Sequence, residues 1–142
     1  MFSKEESKQL RKDFWIFFGK RYPRKWLLYN TGIKDVALSF SFDTKKAMVS
    51  IDSSSNDLVF QTYYYEKLES LKNLFLEEVS SELIFDSEYI LESGKKIGRV
   101  YIEKKEVSIH NKHSWPEVFD FFHDYMNKME NFFIEYKDFI YS

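Results

Sequence analysis

The chain predicts an α+β fold, with an antiparallel sheet of four to five strands built from two hairpins and helices packed on one face. Three observations carry that expectation. Ser114 to Ile140 repeats apolar residues at steps of three and four, the period of a helix. Two other stretches, one from Asp35 and one from Leu83, read as strand, polar turn, strand. Finally, 142 residues contain only four glycines and two prolines, so regular elements must occupy most of the chain.

The first helix is expected from about Ser3 to Arg21. Ser3 and Glu6 have the spacing of a capping box, Leu10, Phe14, Phe17 and Phe18 share a face, and Gly19 and Pro23 mark its end. Trp26 to Tyr29 is a short apolar approach, readable as a further extended piece, before a turn at Asn30-Thr31-Gly32. Val36, Leu38, Phe40 and Phe42 then alternate with Ala37, Ser39 and Ser41. After Asp43 to Lys46 turns the chain, Ala47, Val49 and Ile51 alternate again, giving a hairpin with one face buried and one small and polar.

A second helix is expected over about Asn56 to Ser80, with Leu58, Tyr65, Leu68, Leu71, Leu74, Phe75 and Val79 facing inward. The second hairpin pairs Leu83–Leu91 with Ile97–Ile109 around Glu92-Ser93-Gly94-Lys95, and Lys104-Lys105 reads as a bend or bulge in its long strand. The last helix opens with Ser114 and Glu117, again at capping-box spacing, and with Pro116 in the first turn. At 1.5 Å per residue its roughly 27 residues extend about 40 Å. Such a helix is a scaffold packed on the sheet, and an aromatic stripe of that length offers a surface for self-association. The order is helix, hairpin, helix, hairpin, helix, in a single domain over residues 1–142.

Composition limits the function classes. The chain has no cysteine, which removes thiolate chemistry, disulfides and cysteine metal sites. The amino terminus is charged where a signal peptide is apolar, and no apolar run reaches bilayer length, so a cytoplasmic location and no membrane partner are expected. Lys and Arg number 21 against 23 Asp and Glu, whereas a dedicated nucleic-acid binder is usually basic. Aromatic residues make up 20 % of the chain, read first as a core of Phe and Tyr and second as a partner-binding surface.

Two constellations have chemical meaning. Asp86 and Glu88 lie on the first strand of the second hairpin, and Glu103 and Lys105 share a face of the second. Two carboxylates beside a lysine are the parts of a divalent-metal nuclease, in which Mg²⁺ or Mn²⁺ activates water. Glu66 or Glu69 would add a ligand. The simpler reading is a solvated strand face, with no cofactor. The second constellation is Lys20 to Trp26. Lys20, Arg21, Arg24 and Lys25 have the charge to contact phosphates, and Tyr22 or Trp26 the ring to stack on a base. The bland reading places those cations at the carboxyl end of a helix, where its dipole favours them. His110, His113 and His123 lack the spacing and companions of a metal site. No glycine-rich phosphate loop or nucleophile elbow is present.

The strings FGKRYPRKW (Phe18–Trp26), RVYIEK (Arg99–Lys104) and IHNKHSWPEVFDFF (Ile109–Phe122), with MNKMENFF (Met126–Phe133), resemble a bacterial domain family catalogued as domain of unknown function 4268. The likeness covers essentially the whole chain and carries over no catalytic residue. It implies a nucleic-acid or DNA-defence context and an accessory role, since the domain occurs alone or after a nuclease-like domain. Together these readings predict a non-enzymatic binding or assembly module for nucleic acid or a protein partner, using the open sheet face and Lys20–Trp26. The alternative is a metal-dependent nuclease or its remnant, using Asp86, Glu88, Glu103 and Lys105.

Overall fold

The structure, a computed structural model, describes residues 2–142. Helix α1 runs Lys4–Arg21, and its capping box is formed: the Glu6 amide donates to the Ser3 hydroxyl at 3.1 Å and the Ser3 amide to the Glu6 carboxylate at 3.2 Å. Strands β1 (Val36–Phe42) and β2 (Lys46–Ser53) form the first hairpin, and β3 (Ile84–Ile90) and β4 (Lys96–Lys105) the second. The sheet has four strands, all antiparallel, in the order β1-β2-β4-β3, so the hairpins join through β2 and β4. Trp26–Tyr29 is not a fifth strand; it turns, and only the Leu28 carbonyl meets the sheet, accepting from the Leu38 amide at 3.0 Å.

The expected single second helix is two, α2 (Leu58–Ser70) and α3 (Lys72–Glu78). The break is Leu71, which leaves helical geometry with ψ 11° and whose amide meets the carbonyls of Leu68 and Glu69. Leu58, expected inside, is 68 % exposed in the first turn, ahead of the part of α2 that meets the sheet. β4 stays regular through Lys104 and ends at Lys105, followed by Glu106 at φ 62°; the bulge lies on β3, between Asp86 and Tyr89.

Helix α4 runs Trp115–Tyr141 after a short 3-10 turn, Lys112–Ser114. Pro116 sits in its first turn as expected, but the Ser114 box does not form. The Ser114 hydroxyl instead donates to the Ser108 and Asn111 carbonyls at 3.0 and 2.7 Å, holding the loop that leads into the helix. The α4 stripe is consumed inside the chain: Trp115, Val118, Phe122, Met126, Met129, Phe133 and Ile140 are at most 3 % exposed. Ile134, Phe139 and Tyr141 near the end of the same helix remain exposed.

One core joins α1, α2, α3 and α4 to Val36, Leu38, Val49, Ile51, Val100 and Ile102 of the sheet. By strand alternation these share the helix-covered face, whereas Met48, Ser50, Asp52, Ile97, Arg99 and Tyr101 lie on the other. Gly98 is on the covered face against α2, where a Cβ would stand 2.7–2.9 Å from the Tyr65 side chain. That spacing lets helix and strand approach closely. Gly98→Ala is expected to cost about 2 kcal/mol through overpacking, read as a lower urea midpoint at unchanged slope.

Candidate binding surfaces

The basic segment after α1 is a strap across α4. Arg21 pairs with Asp120 at 3.1 Å, and Tyr22 donates to the same carboxylate at 2.7 Å. The Tyr22 hydroxyl, with Arg21 beside it, holds the Asp120 carboxyl below its ordinary pKa. The Tyr22 ring stacks on His123 at 3.9 Å. Arg24 lies over the Trp26 ring at 3.8 Å and donates to Glu130, which is only 5 % exposed, and to Asn127. The second Glu130 oxygen accepts from the Leu27 amide at 2.5 Å. Trp26 stacks on Phe18 and meets Phe40 edge-on. Of the five residues expected to meet phosphate and base, Arg21, Arg24 and Trp26 have partners within the chain. Lys20 and Lys25 are exposed and have no ion pair among the described residues.

The carboxylates of the second hairpin are not gathered. Asp86 opposes Arg99, and Glu103 lies four residues further along β4, roughly 13 Å at 3.3 Å per residue. β3 begins at Ile84, opposite Tyr101, so no β3 residue faces Glu103. Glu103 and Lys105 do share a face, and Glu103 pairs with Lys46 at 3.1 Å and Lys105 at 3.8 Å. Asp86 accepts from the Glu88 amide within the bulge, and Glu88 pairs with Lys96. Glu66 and Glu69 line a cleft with Glu88 and Lys96, apart from Glu103 and Lys105. No group of three His, Asp or Glu side chains among the described residues is arranged to hold a metal ion. His110 bonds Ser7, tying α1 to the loop before α4.

The sheet's outer face carries no helix, yet its centre is closed by its own side chains. Arg99 reaches Asp52 through two bonds, 2.7 and 2.9 Å, and its third nitrogen meets the Met48 sulfur at 3.3 Å. The Tyr89 ring lies 4.5 Å from the guanidinium and packs edge-on against Tyr101. Met48, Ser50 and Asp52 are consequently buried on a face expected to be open. Burial works against the Arg99 charge, and the Asp52 bonds and charge outweigh it, leaving its pKa raised. Burial also pushes the Tyr101 hydroxyl up.

Exposed apolar surface lies elsewhere, at residues the sequence reading did not assign to a binding site. Trp15 of α1, Leu28 and Tyr29 of the strap, and Leu38, Ser39 and Phe40 of β1 line a groove of about 380 Å³. Tyr29 is 77 % exposed and Trp15 40 %. Leu28 sits at φ 48°, left-handed backbone that a branched side chain rarely adopts, and this conformation presents its carbonyl to β1 and Tyr29 to solvent. A second patch runs from Val59, Phe60 and Tyr63 on α2 to Phe139, with Lys67 above the Tyr63 and Phe139 rings. A clue was available in α1, where Trp15, Ile16 and Phe17 are consecutive: a helix cannot turn three successive residues to one core.

No described helix is long and apolar enough to cross a membrane. Compared with known proteins, residues 10–137 match the model of a family described as Domain of unknown function (DUF4268). No curated protein and no solved structure matches the chain.

Proposed function

We propose, for a chain that belongs to the DUF4268 family, a role as a non-enzymatic binding and assembly module whose partner is a protein. The observation that carries this reading is the groove between Trp15, Tyr29 and Phe40. Large apolar side chains left partly exposed at a concave surface at the margin of the core, as Trp15 and Tyr29 are, mark an interaction surface. The strap's arginines support a protein over a nucleic acid. Phosphate contacts by Arg21 and Arg24 would have to be taken from their pairs with Asp120 and Glu130, which leaves Lys20 and Lys25 as the unpaired cations of the segment. The separation of Asp86 from Glu103 gives no comparable support to metal-dependent cleavage.

Site-resolved photocrosslinking in cells tests the reading. A benzophenone amino acid placed at Tyr29 is expected to yield a discrete protein adduct, and the same group at exposed Glu82 none. Adducts to nucleic acid at Tyr29, or equal labelling from both positions, would overturn it.

A further inference from the structure

A cavity of about 480 Å³ opens where the segment entering β1 meets the loop after β2 and the first turns of α2. Phe60 and Tyr64, one helical turn apart on α2, give it two rings on one side. Lys34 and Asp35 come to it from the entry to β1, and Asn56 from the loop after β2. The surrounding backbone is pinned. The Asp35 carbonyl accepts from the Ser54 amide at 2.9 Å, with Asp35 at φ 62°, and the buried Gln61 donates to the Ser55 carbonyl at 3.1 Å. The amino end of α2 is already capped, by Asp57 accepting from the Val59 amide at 2.9 Å. What the chain does not meet here is charge. In two other clefts the opposite charges of the lining pair with each other, Glu88 with Lys96 and Glu130 with Arg24. Among the described residues neither the Lys34 nor the Asp35 side chain has an ion pair or a hydrogen bond, and the Tyr64 hydroxyl and Asn56 amide have no bond either.

We propose that this cavity binds a small aromatic zwitterion, an ammonium and a carboxylate carried on a flat ring, as in an aromatic α-amino acid. The proposal goes beyond the protein-binding reading and concerns a different surface. Each part of such a ligand has a group to meet. The Asp35 carboxylate takes the ammonium and the Lys34 ammonium takes the carboxylate, both as charge-assisted bonds. Neighbouring residues supply the two charges, as neighbouring groups on one carbon do in the ligand. The ring packs on Tyr64 and on Phe60, which is 55 % exposed. Asn56, with both donor and acceptor, suits either polar group. A ligand with a single charge would leave the opposite residue of the cavity without a partner, so recognition requires both charges.

The probes are L-tryptophan and L-phenylalanine, each titrated calorimetrically into the full chain. Saturable binding of at least one is expected at millimolar concentration or below. The analogues of the tighter one that lack the carboxylate (tryptamine or phenethylamine) or the ammonium (indole-3-propionate or phenylpropionate) are expected to bind at least roughly tenfold more weakly. Lys34→Gln and Asp35→Asn are each expected to weaken the amino acid about tenfold, and Phe60→Ala by a similar factor. All three positions are exposed, and asparagine tolerates the left-handed backbone at residue 35, so the variants fold. No saturable binding of either amino acid at millimolar concentration, or binding indifferent to all three substitutions, overturns the proposal. An analogue with one charge that binds as tightly as the zwitterion overturns it too. So does guanosine monophosphate binding more tightly than either amino acid and unaffected by Asp35→Asn, which would assign a plain anion site to Lys34. None of these outcomes bears on cross-linking at Tyr29.

Discussion

Asp52→Ala is expected to lower folding stability by about 3–5 kcal/mol, the range for stranding one partner of a buried ion pair. The Asp52 and Arg99 side chains are 11 % and 8 % exposed, and two bonds join them. Removing the carboxylate leaves a guanidinium that cannot shed its proton and has only the Met48 sulfur and the Tyr89 ring nearby. The double change Asp52→Leu with Arg99→Met is expected to recover most of the loss, because it removes the charge together with the need for a partner. Urea unfolding of the two single variants and the double variant measures the coupling directly. A small effect for Asp52→Ala would mean that water already reaches Arg99 and that the outer face is open after all.

What was legible in the sequence was local or periodic. Ser3 and Glu6 cap α1 because both partners lie within one turn. The stripe of α4 and the alternation of β1 follow from repeats that no distant contact overrides. The misreadings involve competition from elsewhere in the fold. Ser114 has the same spacing to Glu117 as Ser3 has to Glu6, but the Ser108 and Asn111 carbonyls take its hydroxyl. The helical period runs unbroken through Leu71, so nothing in the pattern marks the division of α2 from α3. Asp52 and Arg99 fall on the polar side of their strands, and alternation alone reads such residues as solvated; only the β2–β4 register sets them opposite one another. Basic residues in the strap resembled a phosphate-binding patch because Asp120 and Glu130 lie about a hundred residues further on. Glu130 itself could have been found. It stands between Met126 and Phe133 at helical spacing, a carboxylate within an apolar stripe, and such a group needs a buried partner.

Glu130→Ala is expected to destabilise the protein by about 3 kcal/mol and to disorganise the groove at the same time. Two losses contribute. Arg24 loses its carboxylate, a loss moderated because its side chain is 36 % exposed and water can replace part of the bond. The Leu27 amide loses its acceptor in a half-buried setting, where an unmet donor carries its full desolvation penalty. Leu27 precedes Leu28, the left-handed residue whose carbonyl meets β1 and whose neighbour Tyr29 forms one wall of the groove. Without the anchor, the strained conformation at Leu28 has less to hold it. Glu130→Gln should separate the two contributions: it keeps a neutral acceptor for the Leu27 amide and removes the charge paired with Arg24. The glutamine variant is therefore expected to lose about half as much stability as the alanine variant and to keep the Leu38 amide protected from exchange. In the alanine variant the Leu38 amide should exchange roughly tenfold faster, because its partner carbonyl sits on the released strap. Equal exchange at Leu38 in both variants would show that Trp26, stacked on Phe18, is sufficient to hold the strap without Glu130.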